Sequence, residues 1–253
     1  MVYDLQKAGF WKRIAAWMFD SILVSILAVG LGFVLSLILG YDGYSQRLDE
    51  AYETYETQYG IVFDISQEAY QAMPETEREA YDSAYAALTS DTDAMYAYNM
   101  MLNLSLVVTT IGILLAVVIW EFVVPLRLGN GQTLGKKIFS LCLVRNDGVQ
   151  VNNLQLFARA ILGKYTIETM IPVCVLLMLF WGTMDLTGTL MLFALLAGQL
   201  VCLAVTRNHY AIHDLLAGTV VVDISSQMIF RTTEDLIEFQ KKIAAERAAR
   251  QPY

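Results

Sequence analysis

The residues of this chain with the clearest chemical potential are ionisable side chains inside long apolar stretches. Asp20 is the one formal charge in residues 14–39, and Arg13 precedes it by seven residues. Seven residues are close to two helical turns, so on a helix the two side chains share one face, about 10 Å apart along the axis. An ionisable side chain inside a membrane helix is costly and usually has both a function and a partner. Arg13 and Asp20 therefore predict either an ion or proton pathway or a permanent structural charge network.

Two further ionisable positions extend this set. Glu121 lies near the inner end of an apolar run at residues 102–124, either as a second membrane carboxylate or as an interfacial residue bonding a neighbouring helix end. His213 stands next to Asp214 and four residues after His209. That spacing would let two histidines share a metal on a helix, but the chain has only two histidines and no HExxH motif, so we expect no metal site. His213 is instead expected to be hydrogen-bonded, and an imidazole is able to relay protons.

The rest of the sequence gives little support for catalysis. No nucleophile–base constellation, phosphate-binding loop or redox pair stands out, so we expect no enzyme activity and no cofactor. The three cysteines are Cys142, Cys174 and Cys202, and the last two fall in apolar runs. This usage predicts packing rather than a disulfide framework.

The composition identifies the class of protein to which these residues belong. The chain has 253 residues, of which 56% are hydrophobic and 17% are charged, with a mean hydropathy of +0.47. Such a sequence is typical of a multi-span membrane protein that lies in a lipid bilayer. The net charge of −8 is uneven, because residues 41–100 hold thirteen Asp and Glu against two Arg. No basic stripe exists outside the loops beside the membrane, which argues against nucleic acid as a partner.

Four apolar runs are predicted to be the membrane spans that position the ionisable residues. They are residues 12–40, 102–124, 167–181 and 190–205, and the last two are short enough that a re-entrant pair is an alternative to two full crossings. Basic residues sit before the first span, between the second and third, and after the fourth. The positive-inside rule then puts both termini in the cytoplasm and the acidic residues 41–100 outside the cell membrane.

The segments between the spans are also expected to fold. Residues 41–100 carry ten of the fourteen tyrosines at helical spacing, which predicts a small helical ectodomain. In the cytoplasm, residues 141–145 and 149–151 flank the turn signal Asn146-Asp147-Gly148, and residues 219–224 would add a third strand. The predicted fold class is thus an all-α membrane protein with four transmembrane helices, a helical extracytoplasmic insertion between spans 1 and 2, and a small cytoplasmic three-strand β patch.

Four regions follow from this division. Residues 1–40 form an N-terminal head with the first span, and residues 41–100 form the acidic, tyrosine-rich ectodomain. Residues 101–224 contain spans 2–4 and the cytoplasmic hairpin, and residues 225–253 contain a cytoplasmic amphipathic helix that begins at Thr232.

Three separated segments resemble the RDD family of bacterial membrane proteins. They are Arg13 with Asp20, the sequence GQTLGKKIFSLCLVRNDG at residues 131–148, and HDLLAGTVVV at residues 213–222. The arginine and two aspartates that name the family fall on Arg13, Asp20 and Asp214. The other positions of the family motif fall on Gly131, Gln132, Thr133, Leu134, Gly135, Lys136, Asp147, Gly148, Gly218 and Thr219. The resemblance covers about residues 11–40 and 101–224 and leaves out the tyrosine-rich insertion.

This resemblance implies membrane transport, including alkali cation–proton antiport for some members. One hypothesis is therefore a transporter of Na⁺, K⁺ or Li⁺ and protons that uses Asp20 with Arg13, Asp214, Glu121 and His213. Four spans are few for a transporter, so this hypothesis implies a homo-oligomer. The alternative is a non-transporting accessory or regulatory subunit whose ectodomain binds an envelope protein. In that case Arg13, Asp20 and Asp214 form a structural clamp.

Overall fold

A computed structural model describes residue 5, residues 8–180, residue 182, residues 186–205 and residues 210–250. The described helices are α1 (Phe10–Leu39), α2 (Tyr41–Tyr59), α3 (Gln67–Ala72), α4 (Glu75–Ser90), α5 (Thr92–Leu128), α6 (Leu134–Ile138), α7 (from Asn153 to Phe180), α8 (Leu186–Val205), α9 (Ile212–Ala217) and α10 (Thr233–Arg250). The described strands are β1 (Leu141–Arg145) and β2 (Thr219–Asp223). The chain divides into two compact units, Met1–Ala28 with Ile113–Tyr253, and Val29–Gly112.

Three of the described helices are long and apolar enough to cross a membrane. They are α1, α5 and the part of α7 at Asn153–Leu179, and Leu186–Cys202 of α8 is a shorter apolar helix. The chain is therefore a helical membrane protein. The number of crossings and the side on which each terminus lies stay predictions.

Two helix boundaries differ from the sequence prediction. Helix α5 passes Pro125, where the second span was predicted to end, and continues to Leu128. Pro125 is tolerated because it occupies the start of the final α-helical segment, where a missing N–H costs little. Asn152 caps α7, as the sequence predicts for Asn152 or Asn153, and forms a capping box with Gln155. The helix then continues without a break into the apolar run that was predicted to start at residue 167.

Helices α5 and α7 each contain a π-helical stretch. It covers Val118–Val123 in α5 and Arg159–Met170 in α7. Because π-helical hydrogen bonds join residues five apart, this geometry brings Arg159 and Lys164 to the same face of α7. Such stretches occur frequently at functional sites.

A two-stranded antiparallel sheet forms the base of the larger unit. Strands β1 and β2 pair from Leu141 opposite Asp223 to Arg145 opposite Thr219, and most of their side chains are buried. The predicted three-strand patch has two strands. The strand predicted at residues 219–224 forms as β2 and pairs with β1. The turn after β1 forms as expected, but Gln150 then donates its N–H to the carbonyl of Phe230 at 2.9 Å. Residues 149–151 therefore make only isolated bridges instead of the predicted strand.

Sheet and helices share one small apolar core in this unit. Leu141, Leu143 and Val221 pack with Ala16 of α1 and Leu156 of α7. The sheet thus packs against the first turns of α1 and the start of α7. At the other end of the chain, Thr232 and Asp235 form the reciprocal cap predicted for α10, with both hydrogen bonds at 3.1 Å.

The smaller unit contains the predicted helical insertion. Its aromatic rings contact each other edge to face, with Tyr52 and Phe63 at 5.3 Å and Phe63 and Tyr81 at 5.7 Å between ring centroids. Gly60 ends α2 at a φ of +64°, and the Asp91 carboxylate accepts two backbone N–H groups at the start of α5. Those hydrogen bonds hold the pKa of Asp91 below its usual value. Residues 41–91 are therefore a folded helical region.

Candidate functional site

Asp20 is held by three uncharged hydrogen-bond donors. Its Oδ1 accepts from the Trp120 indole at 3.0 Å and from the Gly135 backbone N–H at 2.9 Å. Its Oδ2 accepts from the Thr133 hydroxyl at 2.5 Å. Only 3% of the residue is exposed. Within the part of the chain that the structure describes, this buried carboxylate is thus satisfied without a direct ion pair.

The loop that reaches Asp20 is shaped by two glycines. Gly131 has a φ of +61°, and a Cβ there would lie 2.6 Å from the Leu143 Cβ. A Cβ on Gly135 would lie 2.5 Å from the Ala16 carbonyl oxygen and 2.8 Å from the Asp20 Cγ. Helix α6 can approach α1 this closely only because Gly135 has no side chain.

The polar residues of the same loop fix its position. Gln132 donates from its side-chain amide to the Leu141 carbonyl at 2.7 Å. Thr133 caps α6 by accepting from the Lys136 backbone N–H at 3.4 Å, while its hydroxyl donates to Asp20. The family motif at residues 131–136 thus builds a loop that closes over Asp20. Leu134, also part of the motif, is 39% exposed and lies outside these contacts.

Asp214 forms the second buried carboxylate site. Its Oδ1 lies 2.9 Å from the Arg159 Nε and its Oδ2 lies 3.4 Å from an Nη of Arg13. The His213 Nε2 lies 3.5 Å from Oδ1. Burial alone would raise the pKa of Asp214, but His213 and the two guanidinium groups hold it well below its usual range. Asp214 therefore stays ionised and joins α1, α7 and α9.

Short contacts at both ends of α9 position that carboxylate. A Cβ on Gly163 would lie 2.4 Å from the His213 Cβ, so α7 can approach α9 only through a glycine. Gly218 ends α9 at a φ of +63°, and the Thr219 hydroxyl lies 3.4 Å from the Asp214 Oδ1. The motif residues Gly218 and Thr219 are thus part of the support for Asp214.

Glu121 lies between three cations. Its Oε2 is 3.2 Å from the Arg159 Nη1 and 3.7 Å from the Lys136 Nζ, and its Oε1 contacts the Lys164 Nζ. Only 4% of Glu121 is exposed. Burial lowers the pKa of Lys136 to about 8, against the opposing effect of the Glu121 carboxylate. Glu121 is thus a buried member of an ion-pair network.

His213 bridges two carboxylates. Its Nδ1 lies 2.7 Å from both carboxylate oxygens of Glu168, and its Nε2 faces Asp214. Burial lowers the pKa of His213, while the two carboxylates oppose that shift. The imidazole therefore links α7 to α9 and could pass a proton between two acidic groups.

These contacts form one continuous network, which we call the charge cluster. Its ionisable members are Arg13, Lys136, Arg159, Lys164, Asp20, Glu121, Glu168, Asp214 and His213. Asp20 is joined to it through Thr133, whose hydroxyl lies 3.4 Å from the Lys136 Nζ. Four cations face four carboxylates, so the charge cluster is neutral when His213 is neutral.

A cavity of about 520 Å³ opens onto the charge cluster. Arg13, Asp20, Lys136 and His213 are among the residues that line it. Glu121 is not one of the lining residues. The cavity gives a small polar group access to Asp20 and His213.

The structure brings together the five site residues proposed from the sequence, but Arg13 pairs with Asp214 rather than with Asp20. The contacts of Asp20 run to Trp120, Thr133 and Gly135, and the ion pair of Arg13 runs to Asp214. The motif residues Asp147 and Gly148 lie in the turn after β1, where Asp147 pairs with Arg145 at 2.8 Å. His209 lies outside the described residues.

Four residues of this site were missed as site residues in the sequence. They are Trp120, Arg159, Lys164 and Glu168. The three charged ones lie just before or at the start of the third apolar run, which is the signal that could have found them. Basic residues at a span end are, however, common anchors at the membrane interface.

Comparison with known proteins gives one match. A family model described as the RDD family matches residues 7–218. No curated protein and no solved structure matches the chain. The matched region includes every member of the charge cluster.

Proposed function

We propose, from the premise that this chain belongs to the RDD family, that its charge cluster exchanges a monovalent cation for a proton across a membrane. The cation would be Na⁺, K⁺ or Li⁺, and Asp20 would be the carboxylate that exchanges. Arg13 and Asp214 would hold the surrounding helices, and Glu121 and His213 would complete the polar path.

The observation that carries this proposal is the environment of Asp20. It is buried in a helix that can cross a membrane, it lines the cavity, and its three hydrogen bonds come from uncharged donors. Asp214 is held by two guanidinium groups. Among the described residues no cation forms an ion pair with Asp20, so a cation in the cavity would meet no competing charge at this carboxylate.

The charge balance of the cluster supports exchange rather than simple uptake. The cluster is neutral when all four carboxylates are ionised, so a proton or a monovalent cation at Asp20 leaves it with the same single positive charge. A cation that entered while the proton stayed would add a second positive charge in a medium of low dielectric constant, which is costly. One-for-one exchange therefore keeps the charge of the cluster constant.

The test is cation-driven pH change in proteoliposomes. Wild type, Asp20→Asn and a matched control, Asp49→Asn, would each be tested with gradients of Na⁺, K⁺ and Li⁺. Asp49 is an exposed carboxylate of α2, so its loss removes the same charge away from the charge cluster. Each variant is first shown to be monodisperse in detergent. We expect flux in wild type and Asp49→Asn, and none in Asp20→Asn.

Two results would count against the proposal. Equal flux in wild type and Asp20→Asn would take Asp20 off the path. No flux in wild type with any of the three cations would remove the transport hypothesis.

A second candidate function is an accessory role of the smaller unit. The side chains of Tyr85, Tyr96 and Tyr98 are 56%, 54% and 42% exposed in a strongly acidic region. Exposed tyrosines are favourable contact residues at protein interfaces. We propose that an envelope protein binds there, outside the cell membrane, with both termini of this chain in the cytoplasm.

A partner that co-purifies with wild type and is lost on deletion of residues 45–95 would support this role. Retention of the partner after the deletion would refute it.

A further inference from the structure

The cavity has a charged end and an apolar wall. The charged end belongs to the charge cluster, whereas Phe10, Ile14 and Trp17 of α1 contribute to the wall. Phe10 is 61% exposed and Trp17 is 60% exposed. The wall thus continues onto the outer surface of a helix that is long enough to cross a membrane.

Four cations line the cavity, namely Arg13, Lys136, Arg159 and Lys164. Three of them pair with Glu121, which lies outside the lining, so the charge cluster as a whole stays balanced. A group that enters therefore meets guanidinium and ammonium groups next to apolar walls, while part of their counter-charge lies behind them. An anionic group that carries apolar chains would contact both parts of this lining.

Arg159 and Lys164 have more donors than their carboxylate partners among the described residues use. The ion pairs of Arg159 involve Nε and Nη1, and Lys164 is paired with one oxygen of Glu121. A guanidinium has five N–H donors and an ammonium has three. Phosphate oxygens suit such donors well, because charge-assisted hydrogen bonds to phosphate are strong.

We infer that the cavity binds the phosphodiester headgroup of an anionic membrane lipid. Its acyl chains would lie along α1 beside Phe10 and Trp17. A volume of about 520 Å³ falls within the range of small-molecule sites, about 300–1,000 Å³. A water-soluble phosphate would satisfy the cations but leave the apolar wall uncovered, whereas a lipid covers both. The inference concerns the same cavity as the proposed exchange but does not require transport, because binding is measured without an ion gradient.

The test is lipid binding by the purified full-length protein in a mild detergent, followed by native mass spectrometry. The probes are dioleoyl phosphatidylglycerol, dioleoyl phosphatidylcholine and glycerol 3-phosphate. We expect phosphatidylglycerol to bind at a stoichiometry of about one and at least about tenfold more tightly than phosphatidylcholine, because only the former has a net negative charge. Glycerol 3-phosphate should not displace it.

Two variants and one control locate the site. Lys164→Gln removes one cation from the charged end and should weaken phosphatidylglycerol binding about tenfold, the effect of one charge-assisted hydrogen bond. Ile14→Trp leaves all charges in place and fills the apolar wall, so it should weaken binding by a similar factor. Ile22→Trp is the matched control, because Ile22 is a 59% exposed residue of α1 outside the lining.

Each result either supports or overturns the lipid site. Weaker phosphatidylglycerol binding in Ile14→Trp but not in Ile22→Trp supports the site. This comparison is sufficient by itself if Lys164→Gln does not fold. Equal binding of both lipids by all variants means a non-specific lipid shell and overturns it. Displacement by glycerol 3-phosphate means a site for soluble phosphate and overturns the lipid assignment. Loss of flux in Asp20→Asn with unchanged lipid binding would leave the proposed exchange and the lipid site as separate properties.

Discussion

Gly135 offers the sharpest test of how the loop at residues 131–136 meets Asp20. Substitution to alanine would place a methyl group 2.5 Å from the Ala16 carbonyl oxygen and 2.9 Å from the Asp20 Oδ1. Neither neighbour is the far end of a flexible side chain, since both are held by α1. The helix α6 must therefore move away from α1.

Two effects of Gly135→Ala lower the free energy of unfolding. Overpacking of a close contact costs about 1–3 kcal/mol. The displacement also lengthens the hydrogen bond from the Gly135 N–H to the Asp20 carboxylate, and such a bond contributes about 1.5–3 kcal/mol. Together the free energy of unfolding should fall by about 2.5–6 kcal/mol. At about 2 °C or more per kcal/mol, this lowers Tm by about 5 °C or more.

The assay is thermal unfolding in detergent, followed by size-exclusion chromatography with fluorescence detection. Gly30→Ala is the matched control, because a Cβ at Gly30 meets nothing within 4 Å. It should be neutral or stabilising by up to about 1 kcal/mol through helix propensity. The reasoning fails if Gly135→Ala melts within about 2 °C of wild type, since overpacking alone predicts a shift of that size.

Two further predictions concern the stability of the charge cluster. Asp214→Asn should destabilise the fold by about 3–5 kcal/mol, because it leaves two arginine partners buried without their carboxylate, while Asp49→Asn on the surface should change it by about 0.5 kcal/mol or less. Thermal unfolding of both variants is the measurement, and equal Tm values would contradict an ion-pair role. Burial lowers the pKa of Lys136 to about 8 from an ordinary 10.5, so between these pH values the unfolded chain binds more protons and stability should rise with pH. The measurement is Tm from pH 7 to pH 11. The rise in Tm should be lost in Lys136→Met and kept in the exposed neighbour Lys137→Met. If Lys136→Met kept the rise, a group other than Lys136 would be its cause.

Local sequence signals predicted much of the fold. Long apolar runs located α1, α5 and the C-terminal part of α7, and the cap at Thr232 located the start of α10. These features depend on residues within a few positions of each other. Local interactions therefore decide them, and a sequence displays local interactions directly.

The partners of the charges could not be predicted in the same way. Spacing along α1 suggested Arg13 as the partner of Asp20, but helical proximity at one face does not fix where a loop from elsewhere in the chain will dock. The backbone N–H of Gly135 and the hydroxyl of Thr133, which belong to such a loop, are hydrogen-bonded to Asp20 instead. Arg159 and Lys164 resembled interfacial anchors, and only the π-helical geometry of α7 brings both to Glu121.

The strand predicted at residues 149–151 does not form, for a related reason. The turn at residues 146–148 forms, with Gly148 at a φ of +86°, so the local signal was correct. The residues after it could pair with β1 or with the segment before α10. The carbonyl of Phe230 takes the N–H of Gln150, and that competition depends on a segment 80 residues away.

The long sequence distances within the charge cluster have a consequence for biosynthesis. The partners of Asp20 lie 100, 113 and 115 residues downstream, and the Arg13–Asp214 pair spans 201 residues. At about 5–20 residues per second, the ribosome needs roughly 6–23 seconds after Asp20 before its last partner exists. During that interval α1 must wait in the insertion machinery or in the bilayer with an unpaired carboxylate, a state that costs about 2.5–3.5 kcal/mol at the centre of a span. Final seating of α1 therefore follows synthesis of the loop at residues 131–136, and a truncated chain that stops before this loop should be a preferred substrate for membrane quality control.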